Sequence, residues 1–144
     1  MLRAMLVVLD TNHFSELVRN SSIGRILQSR LEERRAEALT TVVNAQEVTE
    51  GWCALLNRLP SGESEVRAYS QFQHSFEWLA ELPVLPFDHA SLATFQQLRS
   101  AHRRIGRMDL KIASICIVND VLLLTRNLSD FRNLPGLRVE NWLD

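Results

Sequence analysis

Met5-Leu-Val-Val-Leu9-Asp10-Thr11-Asn12 is the stretch that decides the fold. An apolar run with no polar alternation is buried on both faces, which is the pattern of an interior strand in a parallel sheet. The run stops at Asp10-Thr-Asn and turns into helical spacing through Phe14, Leu17 and Val18. Asn20-Ser-Ser offers caps for a second helix carrying Ile23, Ile26, Leu27 and Leu31. Working outward, Leu39–Val43 is β-branched and reads as a second strand, and Ala45, Val48, Trp52, Leu55 and Leu56 follow it on an amphipathic helix. Pro60-Ser-Gly breaks that helix, and a long one from about Glu63 to Leu82 carries Tyr69, Phe72, Phe76 and Leu79 on one stripe. Val84–Phe87, flanked and interrupted by prolines that cannot donate to a ladder, is an edge strand. Asp88 caps a helix through Leu92, Phe95 and Leu98, and another begins near Asp109 with Ile112, Ala113, Cys116 and Ile117. Val121–Leu124 is a further buried strand, Asn127–Phe131 a short turn or helix, and Leu137–Glu140 the last strand. The alternation predicts an α/β fold, a central, mostly parallel sheet of about four to five strands flanked by helices. A single domain over residues 1–144 is expected from the length.

Sixteen Lys+Arg against 17 Asp+Glu give a net charge of −1, so overall charge does not advertise a nucleic-acid partner. With 46% apolar and 23% charged residues, the composition is that of an ordinary globular protein. No apolar run approaches the roughly 18 residues of a membrane helix, and the first run is too short for a signal-peptide core. Cys53 and Cys116 have no spacing for zinc or a disulfide framework. A cytoplasmic protein without membrane attachment is the expectation. All but one of the basic residues are Arg, Lys111 being the exception, and Arg makes the planar contacts to phosphate that Lys does not.

Ligands of such sheets bind beyond the carboxyl ends of the strands. Asp10 directly follows strand one, Glu47 lies in the first turn after strand two, and Asp109 and Asp130 bracket the fourth strand. Thr11 and Asn12 accompany the first acid, Thr125 and Asn127 the last. Taken singly, each acid has a structural explanation as a helix cap, a dipole partner or a turn residue. Glu47, however, lies off the Ala45–Val48–Trp52 stripe, so core packing does not require it. Carboxylates gathered at one end of a sheet repel one another unless a cation compensates. With no His or Cys ligand pattern, the cation would be hard, Mg²⁺ or Mn²⁺, and the substrate a phosphate compound.

Leu9-Asp10-Thr11-Asn12 with Ser15 and Arg19, Gln46-Glu47-Val48, and Gly106-Arg-Met-Asp109-Leu-Lys-Ile-Ala113 resemble the first three motifs of PIN-domain nucleases. Leu124-Thr125-Arg126-Asn127-Leu-Ser-Asp130-Phe131, then Pro135-Gly136-Leu137 and Glu140-Asn-Trp142, resemble the tail of VapC-like toxins of type II toxin–antitoxin systems. The resemblance covers essentially the whole chain, in order. It implies a metal-dependent endoribonuclease with Asp10, Glu47, Asp109 and Asp130 as the catalytic, metal-holding quartet and Asn12, Thr125 and Asn127 lining the same site. It further implies Mg²⁺ or Mn²⁺ as cofactor, structured RNA such as tRNA or rRNA as substrate, a homodimer, and a small cognate antitoxin in the active-site groove. The metal would activate water for attack on the phosphodiester. The Asn44-Ala-Gln46 lead-in to Glu47 and the region after Pro60 depart from the commoner pattern.

Arg99, Arg103, Arg104 and Arg107, with Lys111 after them, lead straight into Asp109. Of these, Arg103, Arg104, Arg107 and Lys111 are the candidate RNA-binding residues, placed to grip phosphates beside the acidic centre; a solvated helix face is the plain alternative. His13 is expected to be a partly exposed helix residue, and His74, His89 and His102 surface or packing residues. Trp52, Phe72, Phe76 and Trp78 are expected in the core or an interface. A haloacid-dehalogenase phosphatase would need an Asp where Asn12 stands, and no glycine-rich phosphate loop is present. A non-catalytic PIN-like RNA- or protein-binding module and a housekeeping RNA-maturation nuclease remain open alternatives.

Overall fold

A computed structural model describes residues 4–144; the first three residues of the expected 1–144 domain lie outside them. The chain runs β1 (Met5–Leu9), α1 (Thr11–Arg19), α2 (Ser22–Glu33), β2 (Ala36–Thr41), α3 (Val42–Arg58), α4 (Glu63–Glu81), β3 (Val84–Leu85), α5 (His89–Ala101), α6 (Arg107–Asn119), β4 (Leu122–Leu124), α7 (Leu128–Phe131) and β5 (Val139–Glu140). The sheet has five strands in the order β3-β2-β1-β4-β5. Every adjacent pair is parallel, so the expectation of a mostly parallel sheet sharpens to a wholly parallel one.

Strand β1 is central, which is why its sequence is apolar on both faces. Val7 and Leu9 point into one layer with Phe14, Leu17, Leu27, Leu31, Leu122, Leu124 and Trp142. Val8 points into the other, with Leu39, Phe95, Leu98, Leu110, Ile112, Ile115, Leu123 and Phe131. The alternation along β1 and β4 is the period of two of a pleated strand, filled from both sides by helices. In α2, a Cβ at Gly24 would lie 2.0 Å from the carbonyl oxygen of Glu16, so only glycine lets α2 pack this closely on the end of α1.

The second strand differs from expectation. It covers Ala36–Thr41, and Val42 and Val43 open α3 instead of closing the strand. The Thr41 hydroxyl accepts from the Asn44 backbone N–H and donates to the Asn44 Oδ1, 3.0 and 2.7 Å away. This N-cap starts the helix despite two β-branched residues in its first turn, overriding their propensity. In α4 the aromatic stripe is not the buried one: Ala68 and Ser75 are buried, whereas Tyr69 and Phe76 are more than half exposed. Small residues let α4 lie close on α3, with the Trp52 indole N–H donating to Ser75 Oγ at 3.1 Å, and the larger rings are left on the flank.

The order 3-2-1-4-5 places the topological switch point between β1 and β4, where successive crossovers run in opposite directions and leave a crevice at the strand ends. Asp10 follows β1 and Thr125 follows β4, one on each side of it.

Candidate active site

Asp10 is the N-cap of α1 and is almost wholly buried, 7% exposed. Its backbone N–H donates to the Leu124 carbonyl at 2.9 Å, which extends the β1–β4 ladder to the acid itself. Oδ1 accepts from the Thr11 backbone N–H at 2.9 Å and from Asn44 Nδ2 at 3.1 Å. Oδ2 accepts from the Thr125 hydroxyl at 2.7 Å. Asn44 reaches Asp10 because Thr41 fixes its Oδ1, leaving the amide nitrogen to donate. Thr125 is equally constrained, since its oxygen also accepts the Asn127 N–H at 3.1 Å. Two lone pairs of Oδ1 are used and one of Oδ2, so Asp10 keeps one acceptor position, on Oδ2.

The other acids are held by less. Glu47, half-buried in the first two turns of α3, accepts from the Thr11 hydroxyl at 3.3 Å. Burial, followed by the charges of Asp10 and Asp109, raises its pKa above the ordinary carboxylate value. Asp109, in the first turn of α6, is raised as well, first by burial and then by the charges of Asp10 and Asp130. Asp130 is exposed on α7 and accepts from Asn127 Nδ2 at 3.0 Å. The four acids therefore share one electrostatic neighbourhood, with Asp10 next to Glu47 and Asp109, and Asp130 reaching it through Asp109. Among the described residues no three His, Cys, Asp or Glu side chains close into a ready ligand cage. An all-oxygen donor set in which neighbouring charges raise the pKa of Glu47 and Asp109 fits a hard divalent ion that uses one or two carboxylates and keeps several waters.

Arg103 and Arg104 line a cleft of about 460 Å³ together with Ser129, Asp130 and Asn133, so the basic connection adjoins the acidic end of the sheet. Arg99, Arg103 and Arg107 surround a second cleft of about 760 Å³ between α5 and α6, lined also by Leu92, Phe95, Ile105 and Leu110. None of these arginines is in a salt bridge among the described residues. The Lys111 amine instead sits 5.7 Å from the ring centres of both Phe87 and Phe95. Thr11 and Glu47 also edge a groove along α3 with Val48, Trp52, Leu55 and Arg58.

His13 corrects the sequence reading. It is fully buried, not partly exposed. Its Nδ1 lies 2.9 Å from Asn12 Oδ1, and its Nε2 accepts the Trp142 backbone N–H at 3.1 Å. Burial, then the positive charge of Arg126, lowers its pKa to about 4, so the ring is neutral. Asn44 is the other residue whose part sequence reasoning missed. The available signal was the Thr41-x-x-Asn44 spacing, which is that of an N-cap with a polar residue three positions on.

A helix-flanked parallel sheet with acids converging at its switch point is the architecture of a PIN-type fold. The PIN domain family model matches residues 7–137, and the chain belongs to this family. It is 30% identical over 93 residues to Ribonuclease VapC2 of Rickettsia felis, spanning 61% of this chain and 69% of that protein. Among solved structures, VapBC2 of Rickettsia felis bound to a promoter DNA fragment superposes with a TM-score of 0.74 at 21% identity, covering 96% of this chain and 99% of that one. VapBC-1 of nontypeable Haemophilus influenzae superposes with a TM-score of 0.74 at 19% identity, covering 97% and 100%. At these identities the structural likeness speaks for the fold.

Proposed function

We propose that this protein is a metal-dependent endoribonuclease acting as the toxin of a toxin–antitoxin pair, with Asp10, Glu47, Asp109 and Asp130 as its catalytic and metal-holding acids. The observation that carries the reading is the gathering of acids at the switch point, where the charge of Asp10 acts on both Glu47 and Asp109 and that of Asp130 on Asp109, in a chain related to a protein named as a ribonuclease. Mg²⁺ or Mn²⁺ is the ion this donor set fits. When bound, it supplies a Lewis acid that makes water more acidic and offsets charge on the phosphate. The residues of the chain do the rest. Asp10, locked by Asn44 and Thr125, fixes the position of the centre. Glu47 and Asp109, whose pKa values are raised by burial and by neighbouring acids, hold a proton more readily than ordinary carboxylates and gain most from a nearby cation. Asn127 orients Asp130, and Asn12, Thr125 and Asn127 line the site.

Arg103, Arg104 and Arg107 bind the RNA backbone next to the acids, and Lys111, engaged by two aromatic rings, adds charge at longer range. The substrate is a structured RNA, tRNA or rRNA. The partners are a second copy of the chain and a small cognate antitoxin. The antitoxin is supported by the toxin–antitoxin complexes among the similar structures. Among the described residues no helix is long and apolar enough to cross a membrane, which fits action in the cytoplasm.

The test is cleavage of a mixed tRNA and rRNA pool by the purified protein with Mg²⁺, Mn²⁺ or EDTA, beside Asp10→Asn and Asp109→Asn. Discrete fragments that need the metal and vanish in both variants are the expected result. Cleavage that survives in EDTA or in either variant would overturn the assignment. So would a protein that neither cleaves nor is stabilised by millimolar Mn²⁺.

A further inference from the structure

The first turn of α1 contains a chain of hydrogen bonds whose direction is fixed at both ends by backbone N–H groups. The His13 backbone N–H donates to the Asn12 side chain at 2.9 Å. Because a backbone N–H only donates, the Asn12 atom facing it is the oxygen. The same oxygen faces the His13 ring nitrogen Nδ1 at 2.9 Å, so Nδ1 carries the proton. At the far side of the ring the Trp142 backbone N–H points at Nε2, which must therefore be bare. Two independent donors thus select one and the same tautomer of a neutral, buried imidazole. The Trp142 end is itself held: Arg30 donates to the Trp142 carbonyl, the Arg34 guanidinium lies 4.5 Å from the centre of its indole ring, and Leu143 is buried.

The consequence falls on Asn12. Its Oδ1 is occupied by two donors from His13, and its Nδ2 has no partner among the described residues. No buried side-chain polar atom among the described residues lacks a partner, so the NH₂ group is open to solvent rather than sealed in the core. It does so in the turn that begins at Asp10 and includes Thr11, the donor to Glu47.

We propose that His13 is a positioning residue that holds Asn12 as a hydrogen-bond donor toward substrate, its carbonyl kept away from any bound cation. The proposal rests on the nuclease reading above and assigns Asn12 one role within it: its NH₂ donates to a phosphate oxygen of the RNA. Without the His13 ring the carboxamide keeps only the backbone N–H of residue 13 as an anchor, and turning over to present an acceptor, which repels phosphate, becomes easier. The C-terminal segment through Trp142 is then part of the support of the active site, although it contributes no side chain to it.

Single-turnover kinetics on Asn12→Ala, His13→Gln, His13→Asn and the His13→Gln/Asn12→Ala double variant test the idea, with the melting temperature of each. Gln places an acceptor where Nε2 was and satisfies Trp142, but has no donor at the δ position. Asn keeps the δ donor to Asn12 and gives up the acceptor for Trp142. His13→Gln is expected to lower kcat about tenfold to a hundredfold, as Asn12→Ala does, with KM little changed. It should add nothing in the Asn12→Ala background. His13→Asn should retain at least about fivefold more kcat than His13→Gln while melting lower. Losses of kcat that simply follow melting temperature, or that add to Asn12→Ala, would overturn the proposal. Long-range ¹H–¹⁵N correlation on the wild type reads the ring whether or not RNA is cleaved. A protonated Nδ1 and bare Nε2 support the relay, and a protonated Nε2 overturns it. A wild type with the expected tautomer but no cleavage would count against the nuclease reading instead.

Discussion

Asp10 and Asp109 come to the same end of the sheet and are held there by different forces. Asp10 receives three hydrogen bonds, from Thr11, Asn44 and Thr125, and is nearly sealed from solvent. Asp109 is half-buried, and what sets its state is burial and the charge of Asp10 and Asp130, which push its pKa up. The first acid is part of the fold: removing it orphans donors contributed by α3 and by the end of β4. The second is a source of tension, which a cation would relieve under the function proposed here. One side of the site is built by satisfaction, the other by deliberate mismatch, and the two sides should fail differently.

The largest effect is expected at the satisfied side. Asp10→Ala leaves the Asn44 amide and the Thr125 hydroxyl buried without an acceptor, at about 1–3 kcal/mol each. Urea unfolding should therefore show a loss of roughly 3 kcal/mol or more, together with loss of cleavage. A variant that unfolds like wild type would mean that water replaces the carboxylate, and the contrast with Asp109 would collapse.

His13 belongs to the same satisfied side, and its signature is acid sensitivity. The unfolded residue protonates near 6.5, the folded one only near about 4. Between these values the unfolded chain binds the extra proton, so this contribution to stability is present above pH 6.5 and is lost as the pH falls toward 4. The loss should reach on the order of 3 kcal/mol, read by urea titrations across that window, and His13→Gln should remove it. An unchanged pH profile in the variant would show that the ring is reached by solvent.

On the charged side, the basic connection should act through RNA alone. Arg103→Ala with Arg104→Ala should leave the melting temperature unchanged and weaken RNA binding, reducing the salt slope of log Kd by about two if both arginines meet phosphates. An unchanged slope would assign them to a solvated surface.

The sequence makes the two sides unequally legible. Asp10 is readable because a central parallel strand is apolar on both faces, so the first polar residue after Leu9 marks the strand's carboxyl end. Asp109 and Asp130 are readable from their place around β4. Glu47 falls at the right point even though the strand before it ends two residues early, since Thr41 caps α3 ahead of Val42 and Val43. What resists reading is everything set by contacts across the chain. His13 looks like an ordinary helix residue until Trp142, 129 positions away, closes over it. Asn44 looks like a variant lead-in to Glu47 until Thr41 turns its amide toward Asp10. The aromatic stripe of α4 has helical periodicity, yet the helix turns Ala68 and Ser75 inward, because close approach to α3 outweighs hydrophobicity.

The smallest expected effect is also the one that tests the contrast most directly. Asp109 has a pKa raised by folding, so ionised Asp109 costs stability at neutral pH, and the cost disappears as the pH falls and the carboxyl protonates. Asp109→Asn should therefore melt slightly above wild type at pH 7 without metal, and the two should converge in acid. Millimolar Mn²⁺ should then invert the order, stabilising wild type through linkage and leaving the variant where it was. A metal-free variant less stable than wild type would mean that Asp109 is held by contacts as Asp10 is, and the tension assigned to this side of the site would not exist. A gain without the inversion would locate the tension correctly while denying that a cation is what relieves it.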